Sequence, residues 1–287
     1  MSAPASTVNS YARSSGQPRR LLLDPWIVGT VCALLLIGLI MVASASIGIS
    51  EKETGAAFHY FTRQLVFVAL GLVACCAGLA VPTRVWDEYS KYLLGGAFLL
   101  LVIVLIPGIG YEVNGSRRWI RLGFMNFQVS EATRVMLLMY VASYAVRRSD
   151  ELRSDFKSFM VPVGVLAAAA LLLLGEPDFG AATVLFATGL GVLFLAGARI
   201  VHLLVPVVAG SIGLAALAVV SPYRLRRLTG FLDPWGDPFD SGFQLVQSLI
   251  AIGRGEWLGV GLGASVQKLF YLPEAHTDFV FAVLAEE

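Results

Sequence analysis

In the segment LPEAHTDFVF, residues 272–281, a histidine, a threonine and an aspartate stand together at the mouth of a new apolar run. An ionisable group at the edge of hydrocarbon costs free energy and is generally kept there for what it does. Asp278 offers a definite chemistry: a carboxylate within hydrogen-bond reach of a hydroxyl can take its proton as that hydroxyl attacks. The plainer reading of Asp278 is a cap on the helix that follows, favoured by the helix dipole. His276 and Thr277 divide in the same way, between orienting the carboxylate and capping the new helix, while Glu274 reads as solvated.

Four further groups could act on a substrate. GYEVNGSRRWIRLG, residues 110–123, has a turn signal at Asn114-Gly115 and then Arg117, Arg118 and Arg121 interleaved with Trp119 and Ile120. It is either an interfacial turn anchored by tryptophan or a clamp of guanidinium forks over a phosphate. In SEATR, Glu131 and Arg134 are three residues apart on one helical face and can pair. Asp178 in GEPDFG either caps the next helix or takes part in chemistry. Arg224, Arg226 and Arg227 form a second basic cluster.

The elements that must hold these groups are read from hydropathy. Hydrophobic residues make up 57% of the 287 and charged residues 14%, with a mean hydropathy of +0.75. That composition defines an all-α polytopic membrane protein, and the near-neutral charge of +1 leaves no basic domain for nucleic acid. Apolar stretches long enough to cross a hydrocarbon core of about 30 Å are expected at Trp26–Ser46, Leu65–Val81, Tyr92–Ile106, Ser130–Val146, Phe159–Leu174, Phe179–Ala196 and Ile200–Val220. These are about seven complete spans within residues 24–220, and residues 278–287 start an eighth. Cys32, Cys75 and Cys76 lie inside apolar runs and read as packing residues.

Residues 1–23 hold Arg13, Arg19 and Arg20 and no acidic residue, which predicts a cytoplasmic N-terminal tail with no cleavable signal peptide. Alternation from there puts about ten of the 21 Lys and Arg inside and about eleven outside. Either the alternation slips by one span, or the outer arginines are retained to bind an anion, the reading preferred here. Residues 221–277 form a large outer loop: a basic start, FLDPWGDPFDSGFQ, then Phe243, Val246, Leu249 and Ile250 at the spacing of an amphipathic surface helix. The glycine-rich run 253–265 lacks the Lys-Ser/Thr of a phosphate loop and reads as permissive backbone, not a nucleotide site. The loop's basic start and acidic end would frame one cleft.

The ordered motifs NGSRRWIRLG, SEATR, GEPDFG, RLTGFLDPWGDPFDSGFQLVQSLIAIGRG and LPEAHTDFVFAVLAEE resemble the SEDS family of bacterial shape, elongation, division and sporulation proteins, from the first span to the last residue. The polar tail and Glu274-Ala275 before His276 are closer to the division branch than to the elongation branch, where Arg typically precedes that His. The resemblance implies a SEDS fold of ten transmembrane helices, so the chain would end inside the family's eighth. It also implies polymerisation of lipid II into peptidoglycan strands, on the periplasmic face of the bacterial inner membrane at the division septum. The family's essential aspartate falls on Asp278, and its acidic and basic pair on Glu131 and Arg134, where Lys is commoner. Val129 stands where the family usually has Pro.

In that reaction a sugar 4-hydroxyl attacks and undecaprenyl diphosphate leaves, with Arg117, Arg118 and Arg224 as candidates to meet the diphosphate. Asp178, Glu131, Arg134, His276 and Thr277 complete the candidate substrate site. A divalent cation, Mg or Mn, at the diphosphate is the one cofactor left open. The implied partners are a class B penicillin-binding protein and other division proteins. A lipid II flippase, an elongation-type polymerase and a scaffold that only recruits division proteins stand as alternatives.

Overall fold

The computed structural model describes residues 24–113, 116–123, 125–220, 229–240, 242–269 and 271–287. The described residues fall into two compact units, one within residues 1–70 and 229–287 and the other within residues 71–228.

In the first unit, helix α1 spans Pro25–Thr54. It starts where the sequence says it must: the Asp24 carboxylate accepts from the Trp26 N–H at 2.9 Å, and Pro25 occupies the first turn, where a missing N–H costs nothing. It ends at Gly55, whose left-handed backbone (φ 71°) returns its N–H to the Glu51 carbonyl. The helix therefore runs eight residues past the expected Ser46, because Glu51, Lys52 and Glu53 continue it as a polar extension. Helix α2, His59–Ala80, begins in this unit and crosses into the second. Helices α10, Phe243–Gly255, and α11, Val280–Glu286, also belong to the first unit. Ala251, Leu272, Ala275, Ala282 and Val283 pack with Met41 and Ala45 of α1.

The second unit holds α3 (Thr83–Glu88), α4 (Ser90–Leu105), α5 (Val129–Arg147), α6 (Ser149–Ser154), α7 (Phe156–Gly175), α8 (Phe179–Leu195) and α9 (Ile200–Val220). Leu101 of α4, Leu137 and Val141 of α5, Phe159 and Leu166 of α7 and Leu185 of α8 are fully buried in one core. Helices α7 and α8 approach closely because position 189 is glycine: a Cβ there would come within 2.4 Å of the Leu166 side chain. Helices α7, α8 and α9 also line an apolar cavity of about 680 Å³, which holds no ionisable side chain.

Among the described residues, four helices are long and apolar enough to cross a membrane: α1, α2, α7 and α9. Helices α4 and α8 are apolar but shorter, and α5 carries Glu131, Arg134 and Arg147 in its 19 residues. The all-α expectation needs one amendment. The arginine-rich loop after α4 is a small antiparallel sheet of β1 (Tyr111–Val113), β2 (Ser116–Arg121) and β3 (Asn126–Gln128), ordered β1-β2-β3. A strand sends alternate side chains to opposite faces, so Ser116, Arg118 and Ile120 share one face of β2, while Arg117, Trp119 and Arg121 share the other.

Candidate functional site

Alternation along β2 decides what each arginine meets. Arg118 turns toward the α7–α8 turn, where its Nη1 lies 3.4 Å from Asp178 Oδ2. Ser116, on the same face, donates its hydroxyl to the Glu176 carbonyl. Arg117 points the other way and pairs with exposed Glu112 at 3.1 Å. Arg121 lies over the Tyr111 ring, 3.3 Å from its centroid. The three arginines therefore do not form one clamp: Arg118 joins a buried network, and the other two are held on the hairpin's outer face.

Asp178 is the hub of that network. Its Oδ1 accepts the Ala181 N–H at 3.0 Å, capping α8, and its Oδ2 also receives the Ser130 hydroxyl at 3.5 Å. Gln128 donates to the Ser130 oxygen at 3.0 Å, so β3 and the first turn of α5 close the far side. Glu176, two residues before Asp178, is fully buried, and neither carboxylate oxygen has a hydrogen-bond partner among the described residues. Burial, reinforced by the Asp178 carboxylate and opposed by Arg118, pushes its carboxyl up to about 8. In the sequence Glu176 stands only as a member of GEPDFG, with nothing to mark it as buried. Its burial depends on β2 and α5 folding over that turn.

Glu131 and Arg134 pair along α5 at 2.8 Å, as their spacing predicts. Glu131 is exposed, and Arg134 keeps a buried Nε without a partner among the described residues, as does Arg118. Both Nε groups are shut off from solvent, so an anion can meet these guanidiniums only through their Nη atoms. Arg224, Arg226 and Arg227 lie outside the described residues.

In the first unit, residues 272–279 are turns, and α11 begins at Val280 with Phe279 in the cap position and no side-chain cap. Asp278 is therefore not spent on capping. Its side chain is exposed, and among the described residues it receives no hydrogen bond or ion pair. The residues before it are fixed: the His276 ring packs on Tyr60 of α2 with centroids 5.0 Å apart, and the Thr277 hydroxyl donates to Glu274, whose backbone sits at φ 56°. Glu274 is exposed, as expected, and also accepts from Thr277 within this turn.

Glu286 and Glu287 at the far end of α11 were missed as partners. Buried Glu286 accepts from the Ser265 hydroxyl and from the backbone N–H of Val266 (3.1 Å) and Gln267 (3.3 Å). Glu287 accepts from Lys268 Nζ at 2.6 Å and from the Ser44 hydroxyl at 2.9 Å. These contacts tie α11 to the loop that delivers HTDF.

As for a divalent cation, no group of three or more His, Cys, Asp or Glu able to hold a metal exists among the described residues. Glu176 and Asp178, with the Arg118 guanidinium between opposing demands, are a poor donor set for one.

Taken together, apolar helices of membrane-crossing length, polar residues gathered at helix mouths and an unspent aspartate define a polytopic membrane protein with an open carboxylate at a helix threshold. The chain belongs to the FtsW, RodA and SpoVE family, described as "Cell cycle protein", whose profile matches residues 25–287. It is 56% identical over 265 residues to the "Probable peptidoglycan glycosyltransferase FtsW" of Halorhodospira halophila, a match that covers 92% of this chain and 67% of that protein. The protein of the same name from Nitrosococcus halophilus is 52% identical over 287 residues, covering 100% of this chain and 73% of the relative. The chain thus spans about two thirds to three quarters of these relatives' length, and by sequence it falls in the peptidoglycan glycosyltransferase class. Among solved structures it superimposes on one described as "Structural coordination of polymerization and crosslinking by a peptidoglycan synthase complex". There the TM-score is 0.70 at 31% identity, covering 93% of this chain and 72% of that one.

Proposed function

We propose that this chain polymerises lipid II into glycan strands at the periplasmic face of the inner membrane during septal wall synthesis, with Asp278 as general base. The observation that carries the reading is the state of Asp278: exposed, unpaired among the described residues and outside the cap position of α11. Its oxygens are open to a substrate hydroxyl. As the 4-hydroxyl of one lipid II attacks the anomeric carbon of the growing strand, Asp278 takes its proton. The bond from that carbon to the diphosphate breaks, undecaprenyl diphosphate leaves, and attack from the opposite face turns an α-linked donor into a β-1,4 linkage.

His276, packed on Tyr60, and Thr277, bonded to Glu274, hold the backbone before Asp278. Pre-set geometry of this kind lowers the cost of bringing reactants together. Arg118 and Arg134, through their Nη atoms, are the arginines assigned to anionic groups of the substrate. Arg118 is oriented by Asp178, and Arg134 by Glu131. A class B penicillin-binding protein is the proposed partner, supported by the likeness to a complex described as joining polymerisation and crosslinking.

The test is full-length protein purified with that partner and supplied with lipid II. Glycan strands resolved by gel are the expected product. If none form while lipid II crosses the bilayer of reconstituted vesicles, the polymerase reading fails and the flippase reading replaces it.

A further inference from the structure

Trp257 and Leu258, at the tip of the glycine-rich run, are the most exposed large apolar residues of the first unit among the described residues, at 98% and 97%. Leu262 follows at 75%. What covers them follows from their depth beside α1, once α1 is taken to span the membrane. The polar end of α1 marks one surface: Glu53 accepts from the Tyr60 hydroxyl, and the Tyr60 ring packs on His276, so the HTDF segment lies at that level. From there α11 runs about 10 Å over its seven residues to Glu286. Glu287 and Lys268 then meet Ser44 of α1 at 2.9 Å each. Ser44 precedes Ile49, the last apolar residue of α1, by about 8 Å of helix rise. The two paths agree: residues 265–268 lie beneath the polar surface, at a level where α1 shows outward-facing Ile40 and Ile47.

Irregular backbone survives at such depth only when its polar groups are paired within the protein, and several of this segment's backbone groups are so paired. The Val260 N–H donates to the Glu286 carbonyl at 2.8 Å, the Gly259 N–H to Gly255 at 2.7 Å and the Gly261 N–H to Glu287 at 3.2 Å. A Cβ at position 255 would come within 1.8 Å of the Ala285 carbonyl, so glycine is what lets the strand of loop lie against α11. Glu286 is paired with the Ser265–Gln267 turn and with Arg254 at 3.6 Å, and Lys268 with Glu287 at 2.6 Å, while exposed Glu256, beside Trp257, has no partner among the described residues and must reach toward the headgroups.

We propose that residues 255–267 form a re-entrant loop in the leaflet at the C-terminal end of α1, with Trp257 and Leu258 seated among lipid acyl chains. The loop anchors the HTDF segment to the bilayer. Burying the tip in lipid removes a large apolar surface from water, which an aqueous loop could not do.

Nitroxide labels at Trp257→Cys and Leu258→Cys, in full-length protein with Cys32, Cys75 and Cys76 replaced by Ala, test this in phosphatidylcholine–phosphatidylglycerol nanodiscs. Glu51→Cys, on the polar end of α1, serves as the aqueous reference. The expected result is a ratio of oxygen to nickel-chelate collisions several-fold above that at Glu51→Cys. A ratio equal to the reference means the tip is in water, and low collision with both reagents means that protein covers it. Either overturns the proposal. Trp257→Phe labelled at Leu258→Cys keeps the measurement available if the Trp257→Cys protein does not fold.

Discussion

Asp178 and Asp278 each stand just before a phenylalanine at the threshold of an apolar helix, in PDFG and TDFV. In the 71–228 unit, Asp178 is buried and occupied on both oxygens, by the Ala181 N–H, Arg118 and Ser130. In the other unit, Asp278 is exposed, and its helix starts one residue too late for it to be the cap. A hydrogen-bonded, buried carboxylate holds structure together. A carboxylate left in the open at similar cost has its lone pairs available for a reacting proton. The comparison separates an aspartate that builds its surroundings from one that its surroundings present.

The largest effect that would break this contrast is on activity. Asp278→Asn should reduce lipid II polymerisation by about 10² to 10⁴-fold, the usual worth of a general base, while Tm in detergent stays that of the unaltered protein. Asp178→Ala should act in the reverse sense, on the fold. It removes a cap worth about 1 kcal/mol and leaves the half-buried Arg118 without its carboxylate, so Tm should fall by several degrees, with Asp178→Asn intermediate. A Tm unchanged in Asp178→Ala would show that the network around it bears no load.

Glu176 sharpens the picture through pH. Its carboxyl holds a proton in the fold up to about 8, against an ordinary value of 4.5. Between those values the folded protein binds the extra proton. Stability from this site is therefore complete below about 4.5 and is lost as pH rises toward 8. Glu176→Gln has no proton to lose, so its Tm advantage should widen from pH 5 to pH 8, read by thermal melts at both. The smallest effect is expected at Arg117→Ala, where loss of an exposed pair with Glu112 costs under about 1 kcal/mol and the melting curve should barely move.

What the sequence made legible was local. The opening of α8 at Asp178-Phe179 depends on a side chain three residues from the amide it caps, one of the two readings open for Asp178. The pairing of Glu131 with Arg134 is one helical turn. The strand β2 was hidden because its arginines mask the alternation. Which face each took became clear only once Ser116 had met the Glu176 carbonyl, 60 residues away. The contact of His276 with Tyr60 and the hold of Glu286 on Ser265 depend likewise on tertiary approach that no spacing announces. Asp278 itself was identified as the reactive candidate, but that it is not a cap could be read only from where α11 begins.

The most direct test of the account separates binding from chemistry at Asp278. With full-length Asp278→Ala protein, complexed with its penicillin-binding partner and melting like the unaltered complex, lipid II binding and strand formation are measured on the same sample. Binding close to that of the unaltered protein with no detectable polymer is the predicted result. Polymer formed at the unaltered rate would contradict it.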